Sequence, residues 1–372
     1  MTFAIITHVP HTFEDHQYFA YAPYVREINV WAKYADKILL LAPKSNIEIT
    51  SIDICYKHEN INFITISGFN ILSVKAVIHA IYRIPKISWQ IFSAMQKADH
   101  IHLRCPGNIG LIGSIVQILF PNKMKTAKYA GNWDPKSKQP WTYRLQKWIL
   151  NSTFLTRNMQ VLVYGQWEGS SKNIKPFFTA TYYESEKSTI IYKNFTSQIC
   201  FIFAGALVSG KRPLYAIQLV EMLHKKGYNV ALELYGEGDE RKYLENYIVQ
   251  NYLNSIVSLK GNQTQDTLKK AYKRSHFAIL PSESEGWPKA IAEGMFWGCV
   301  PVATKVSCVP FMLDDGDRGV LIALDLEKDL HQLETLLKDE ILYQEMSQKA
   351  SNWSRNYTLD VFDKEIKKMV TS

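Results

Sequence analysis

Short apolar runs alternate with amphipathic helical stretches along the chain, and the whole pattern occurs twice. In the first half, residues 3–7, 37–41, 61–66, 100–103, 126–129 and 161–164 read as strands, and 20–32, 74–96 and 109–120 as helices. In the second half, strands at 201–204, 230–235, 256–259, 277–280 and 300–304 alternate with helical patterns at 213–225, 240–252, 267–274 and 288–297. Alternation of this kind predicts a parallel sheet with helices on both faces. Two such sets in 372 residues predict an α/β chain of two doubly wound, Rossmann-like domains facing a central cleft. The stretch after Pro176 has weaker periodicity, which puts the join near 190–200 and the domains at 1–195 and 196–354.

With 47% apolar residues, a large core forms without disulfide staples. The five cysteines are scattered and odd in number, which reads as reduced core thiols. The longest apolar stretch, 109–120, is too short to span a bilayer. The first residues read as a buried strand and not as a signal peptide, so a cytoplasmic location is expected. Charge is divided unevenly: up to residue 196 the chain carries 22 Lys+Arg against 12 Asp+Glu, and beyond it 21 against 23. A basic first half implies an anionic partner. No nucleic-acid motif accompanies it. The cations are interleaved with bulky apolar residues in 69–98 and 141–150, so an anionic membrane surface, with a peripheral seat on its inner face, is the expected partner. Amphipathic helices packed on a sheet would show the same pattern.

The most informative segment runs from Pro281 to Val302 and holds two acids, Glu285 and Glu293, across a loop-to-helix junction. Pro288 suits the first helical position and Gly298 a helix stop. The amides of Lys289, Ala290 and Ile291 would then face out of the helix amino end, a place that favours anions. The two carboxylates could accept hydrogen bonds from ribose or hexose hydroxyls. Taken alone, they are equally explained as a helix-dipole acid and an ordinary helix glutamate.

The surrounding residues resemble the signature of retaining glycosyltransferases of family 4, of the GT-B type. Ser282-Glu-Ser-Glu285-Gly286-Trp287-Pro288, the Glu-x7-Glu spacing to Glu293, and Gly298-Cys-Val-Pro301-Val302 stand in the family's order. Ser307-Cys-Val-Pro310 departs from the usual Gly-Gly-x-Pro. The resemblance covers most of the second half. It implies a GT-B fold whose C-terminal helix, within 355–372, crosses back to the first domain. It also implies transfer of a sugar from a nucleotide-diphosphate sugar to a glycan or lipid-linked glycan of a bacterial surface polysaccharide. Glu285 would be the catalytic contact to the donor sugar, Glu293 the ribose ligand, and Gly286, Trp287, Pro288, Lys289 and Ala290 further donor contacts.

Two other loops bear on the donor. Gly205 ends a strand, and Lys211 and Arg212 open the next helix at Pro213; adjacent cations at a helix amino end need an anion, and a diphosphate supplies one. The family's usual Arg after the glycine is Ala206 here, so Lys211 and Arg212 would share its work. Gly236 and Gly238 lie between a strand and a helix, where the family borders the nucleotide. With these cations present, neither a metal nor a cofactor is expected; Asp315-Gly-Asp317 reads as a turn, and the His11, Glu14, Asp15, His16 group as an active-site loop. The first-domain histidine common near residue 130 is absent, leaving His16, Arg104, Asn132 and Asp134 as acceptor or cleft candidates. Two rivals are a GT-B sugar-nucleotide epimerase or phosphorylase and a catalytically silent membrane-associated scaffold. The Glu pair with its flanking motif argues against the first, and the joint presence of Glu285, Lys211 and Arg212 against the second.

Overall fold

The computed structural model describes residues 1–68 and 74–371, the side chains of 74–81 excepted. The chain divides into two units, Met1–Thr179 with Phe362–Ser372, and Ala180–Val361. Both are α/β and each holds one wholly parallel sheet.

In the first unit the strands are β1 (Thr2–Ile6), β2 (Thr12–Glu14), β3 (Gln17–Tyr21), β4 (Lys37–Ala42), β5 (Asp53–Cys55), β6 (Ile61–Thr65), β7 (His100–Cys105), β8 (Met124–Tyr129), β9 (Met159–Tyr164) and β10 (Ile174–Phe177). The helices are α1 (Ala22–Ala32), α2 (Val74–Lys97), α3 (Asn108–Val116) and α4 (Trp141–Leu150). The main sheet has the order β10-β9-β8-β7-β1-β4-β6, and a separate small sheet the order β2-β3-β5. Pro176, which cannot donate to a ladder, lies on the edge strand β10.

Alternate residues of each strand serve different faces. Ala4, Ile6, Leu39, Leu41, Leu103 and Val161 form one core with Ile87, Ile91 and Met95 of α2, Ile109 and Ile112 of α3, and Leu150 of α4. The opposite face is partly polar. His100 and His102 both reach the Thr126 hydroxyl, at 2.8 and 2.9 Å, with Trp31 of α1 packed 4.5 Å from the His102 ring. Burial brings the pKa of His100 down to about 4 and that of His102 to about 3. On the same face the Lys128 ammonium donates to the Phe178 carbonyl at 2.6 Å and lies over the rings of Phe177 and Phe362. Phe362 is where the chain re-enters this unit.

The second unit contains β11 (Ile199–Ala204), β12 (Val230–Tyr235), β13 (Val257–Gly261), β14 (Phe277–Leu280), β15 (Val300–Thr304) and β16 (Val320–Ile322). Its helices are α5 (Pro213–Lys225), α6 (Arg241–Gln250), α7 (Gln265–Arg274), α8 (Lys289–Phe296), α9 (Val309–Leu313), α10 (Leu326–Lys338) and α11 (Glu340–Ser354), and α12 (Leu359–Thr371) continues into the first unit. The sheet order is β13-β12-β11-β14-β15-β16. The central strands are apolar at nearly every position because both their faces are covered.

The α/β class with two Rossmann-like units agrees with the sequence. The unit boundaries fall at 179/180 and 361/362, where the sequence reading has 195/196 and 354/355. Residues 180–195 have almost no regular structure, yet they pack on the second unit: the Tyr182 ring lies 4.9 Å from Phe296, and Phe195 lies 4.8 Å from Tyr343. Such packing leaves no period to read.

The buried imidazoles give a pH dependence of definite sign. In the unfolded chain they titrate near 6.5, and in the fold they bind protons only near pH 4 and below. The unfolded state therefore holds more protons between those values, and stability falls as pH drops from about 6.5 toward 4. Thermal melts across that range should show a falling midpoint. The slope should flatten in His102→Asn; an unaltered slope would remove this imidazole from the cause.

Candidate functional site

The second sheet changes direction between β11 and β14. The chain runs from β11 outward through β12 to β13, returns to β14 on the other side of β11, and continues to β15 and β16. Loops leaving the carboxyl ends of these two adjacent strands diverge, and such a crevice is where open α/β sheets bind ligands. Those loops are 205–212 after β11 and 281–288 after β14.

The structure joins the two loops. The Lys211 ammonium meets the Glu285 carboxylate at 2.5 Å, with Glu285 buried and Lys211 partly exposed. The Glu283 amide donates to the Gly210 carbonyl at 2.8 Å. Arg212 holds a left-handed backbone (φ 49°) at the cap of α5, sends one guanidinium nitrogen toward the Pro281 carbonyl at 3.5 Å, and lies 3.9 Å from the Glu283 carboxylate. A non-glycine residue in that region carries strain, which often marks functional loops. Behind the second loop, Thr304 of β15 donates to the Ser282 carbonyl, and Cys308 to that of Gly286.

Helix α8 begins at Lys289, one residue later than the sequence reading, with Pro288 as its cap and no side-chain cap bond. The Ile291 amide, expected to face outward, donates to the Pro288 carbonyl at 3.0 Å. Ala290 occupies the first turn with Lys289. Glu293 lies on α8, half-buried, and accepts from the Thr181 hydroxyl at 2.7 Å. Burial and then the nearby Glu293 charge push the Tyr272 phenol well above its ordinary pKa. Trp287 is buried, with its ring 5.9 Å from Trp353 and 5.4 Å from Tyr357. Its side chain therefore packs on α11.

Gly236 and Gly238 have a steric cause within the fold. Gly236 has φ +142°, and a Cβ there would overlap the Gly205 carbonyl oxygen; a Cβ on Gly238 would overlap that of Leu207. The two loops run side by side, with the Leu207 amide donating to the Glu237 carbonyl at 2.9 Å. Gly205 differs, since a Cβ there would meet only ordinary contacts, 3.7 Å from the Phe203 ring at the nearest.

The first-unit candidates divide among three places. His16 is in the two-residue turn of the β2–β3 hairpin, where Asp15 and His16 both have positive φ. That is hairpin-turn geometry. His11, from the same group, is buried and bonded to the Val9 carbonyl and the Tyr56 hydroxyl. Arg104, at the end of β7, forms a buried ion pair with Glu27 at 2.8 Å. Asn132 accepts the Asp134 amide and Asp134 the Lys136 amide, so both side chains close a turn. The sequence reading passed over His8. It follows β1, at the β1/β7 change of direction in the first sheet, with Nδ1 3.0 Å from where a Gly107 Cβ would stand. Crowding by neighbouring atoms, and then the Arg104 charge, lower its pKa. Its place just after the first strand is the signal that could have found it. Among the described residues no group of three or more His, Cys, Asp or Glu is arranged to hold a metal.

Residues 185–353 match the family model of Glycosyl transferases group 1, and this part of the chain is a domain of that kind. An uncharacterised glycosyltransferase of Methanocaldococcus jannaschii is 25% identical over 181 residues, covering 46% of this chain and 50% of that protein. Protein CapJ of Staphylococcus aureus is 22% identical over 289 residues, covering 74% of this chain and 72% of that one. The chain thus spans half the length of the first relative. The crystal structure of Anabaena Alr3699/HepE in complex with UDP and glucose superposes over 100% of this chain and 99% of that one, with a TM-score of 0.70 and 14% identity. That likeness is one of fold, and the fold is GT-B.

The two kinds of glycine predict opposite outcomes on substitution. Gly236→Ala should destabilise the protein by about 3 kcal/mol or more, because backbone lies where the methyl must go. Gly205→Ala should cost under about 1 kcal/mol. Urea denaturation measures both; equal effects would refute the close-approach explanation for Gly236.

Proposed function

We propose that the chain is a retaining glycosyltransferase of family 4. It moves a sugar from a nucleotide-diphosphate sugar to a glycan or lipid-linked glycan during surface polysaccharide synthesis. The observation that carries this reading is the Lys211–Glu285 pair at the β11/β14 change of direction, inside the region matched to the group 1 model. The names of similar proteins are consistent with it. One is a capsular polysaccharide biosynthesis glycosyltransferase, and the HepE structure holds UDP and glucose.

Transfer breaks the bond between the anomeric carbon and a diphosphate oxygen and forms one to the acceptor oxygen. The acceptor proton passes to the departing diphosphate. Charge builds on that oxygen as the anomeric carbon gains oxocarbenium character. Lys211 and Arg212 neutralise it, and the amino end of α8 adds to their field; donors fixed in advance do this at little reorganisation cost. Lys211 leaves Glu285 for the diphosphate, and the released carboxylate accepts from donor-sugar hydroxyls. Glu293 takes the ribose hydroxyls by exchanging its bond to Thr181. Charge neutralisation is thereby assigned to side chains and needs no divalent metal. Gly205 leaves room for the nucleotide against the end of β11.

A thermal-shift panel of nucleotide sugars identifies the donor, and the absence of a shift with every member would remove the reading. With that donor, Glu285→Ala should abolish transfer while nucleoside diphosphate still binds; unchanged turnover would sink the catalytic role. Lys211→Ala with Arg212→Ala should weaken the nucleoside diphosphate by up to several kcal/mol and leave the nucleoside almost unaffected, as loss of charge-assisted contacts requires.

A further inference from the structure

On the first unit, α2, α3 and α4 lie side by side over one face of the sheet, bound to it through the core shared by Ile91, Ile112 and Leu150. Their outward surface is unusual in two respects. It exposes large apolar side chains: Tyr82 and Trp89 on α2, Leu119 just past α3, Trp141 and Trp148 on α4, and Phe154 in the following turn. Trp89 and Trp148 are 69% and 64% exposed, so these rings are not partly covered core residues. None of the three helices contains an aspartate or glutamate, and from residue 60 to 167 the chain has two acids, Asp99 and Asp134, against 13 Lys and Arg. The Asp99 carboxylate accepts the Thr2 amide, and Asp134 holds its own turn.

Arg83, Lys86, Arg144 and Arg157 are exposed among these rings. Arg157 lies over the Phe154 ring at 5.2 Å. On α6 and α11, by contrast, exposed apolar residues stand beside carboxylates: Tyr243 and Val249 of α6 adjoin Glu240 and Glu245, and Ile341 of α11 follows Glu340. An apolar patch whose helices carry no acids and which is rimmed by cations asks for a partner that is itself apolar and anionic. A bilayer with anionic headgroups is both: Trp and Tyr settle at the headgroup level, and Lys and Arg reach the phosphates along their own apolar stems. Duplex nucleic acid, whose bases are stacked on one another, would meet the cations and leave the tryptophans in water.

We infer that the outer face of the α2–α3–α4 layer docks on an anionic lipid surface. The surface belongs to the first unit and includes none of the donor-side residues, so the inference stands without the proposed chemistry. The full-length protein is sedimented with vesicles of phosphatidylglycerol and phosphatidylcholine in equal parts, and with phosphatidylcholine alone. Binding to the anionic vesicles at low salt is expected, falling as salt rises. Trp89→Ser with Trp148→Ser should weaken it about tenfold or more, and Arg83→Glu with Lys86→Glu and Arg144→Glu should abolish it. Tyr243→Ser should bind as wild type does, and thermal melts check each variant's fold. The two variants remove different chemistry, so either one alone, if folded, suffices. No binding at low salt, or binding that both variants retain, overturns the inference. So does a self-association, seen by sedimentation velocity, that these substitutions abolish while vesicle binding is absent; the face would then belong to a second copy.

Discussion

The ion pair between Lys211 and Glu285 organises the candidate site. The two residues stand 74 positions apart and come from loops that leave adjacent strands in opposite directions. Parallel pairing of β11 with β14 brings those loops together, and the bond from Glu283 to Gly210 keeps them there. Glu285 is buried, and a buried carboxylate without a cation would be costly. Lys211 satisfies it and remains partly exposed, so an incoming anion can compete for the ammonium. The contact that stabilises the loops is thus the one a diphosphate would exchange.

The two units distribute their polar groups differently. In the second, charge gathers at the carboxyl ends of the central strands. In the first, one sheet face buries His100, His102 and Lys128 beneath α1 and the returning α12, while the helices over the other face present rings and cations outward. The first arrangement makes stability fall in acid. The outward face of those helices is the one inferred to dock on lipid.

Much of the fold was legible because strands buried on both faces read as nearly unbroken apolar runs, and β1, β4, β11, β14 and β15 all do. The small β2-β3-β5 sheet was not, since its three- to five-residue strands are half exposed and its turn uses Asp15 and His16 where glycine or asparagine is usual. The Pro281–Val302 segment was legible as a strand, loop and helix, and Lys211 as a cation needing an anion. That the anion in the unliganded protein is Glu285 itself was not, because pairing across 74 residues leaves no local trace. The Gly236 and Gly238 turn reads the same from sequence whether a ligand or another loop approaches it; the fold supplies the loop. Glu293 is a similar case, as Thr181, the partner of its hydrogen bond, lies 112 residues away.

The central claim is that Glu285 holds Lys211 in a contact the diphosphate must displace. Titration calorimetry of the preferred nucleoside diphosphate against wild type, Glu285→Gln and Lys211→Met tests it directly. Removing the competing carboxylate charge should tighten binding about three- to tenfold in Glu285→Gln, and loss of the ammonium should weaken it about tenfold or more in Lys211→Met. Binding that is weaker in Glu285→Gln, or unchanged in Lys211→Met, would contradict the account.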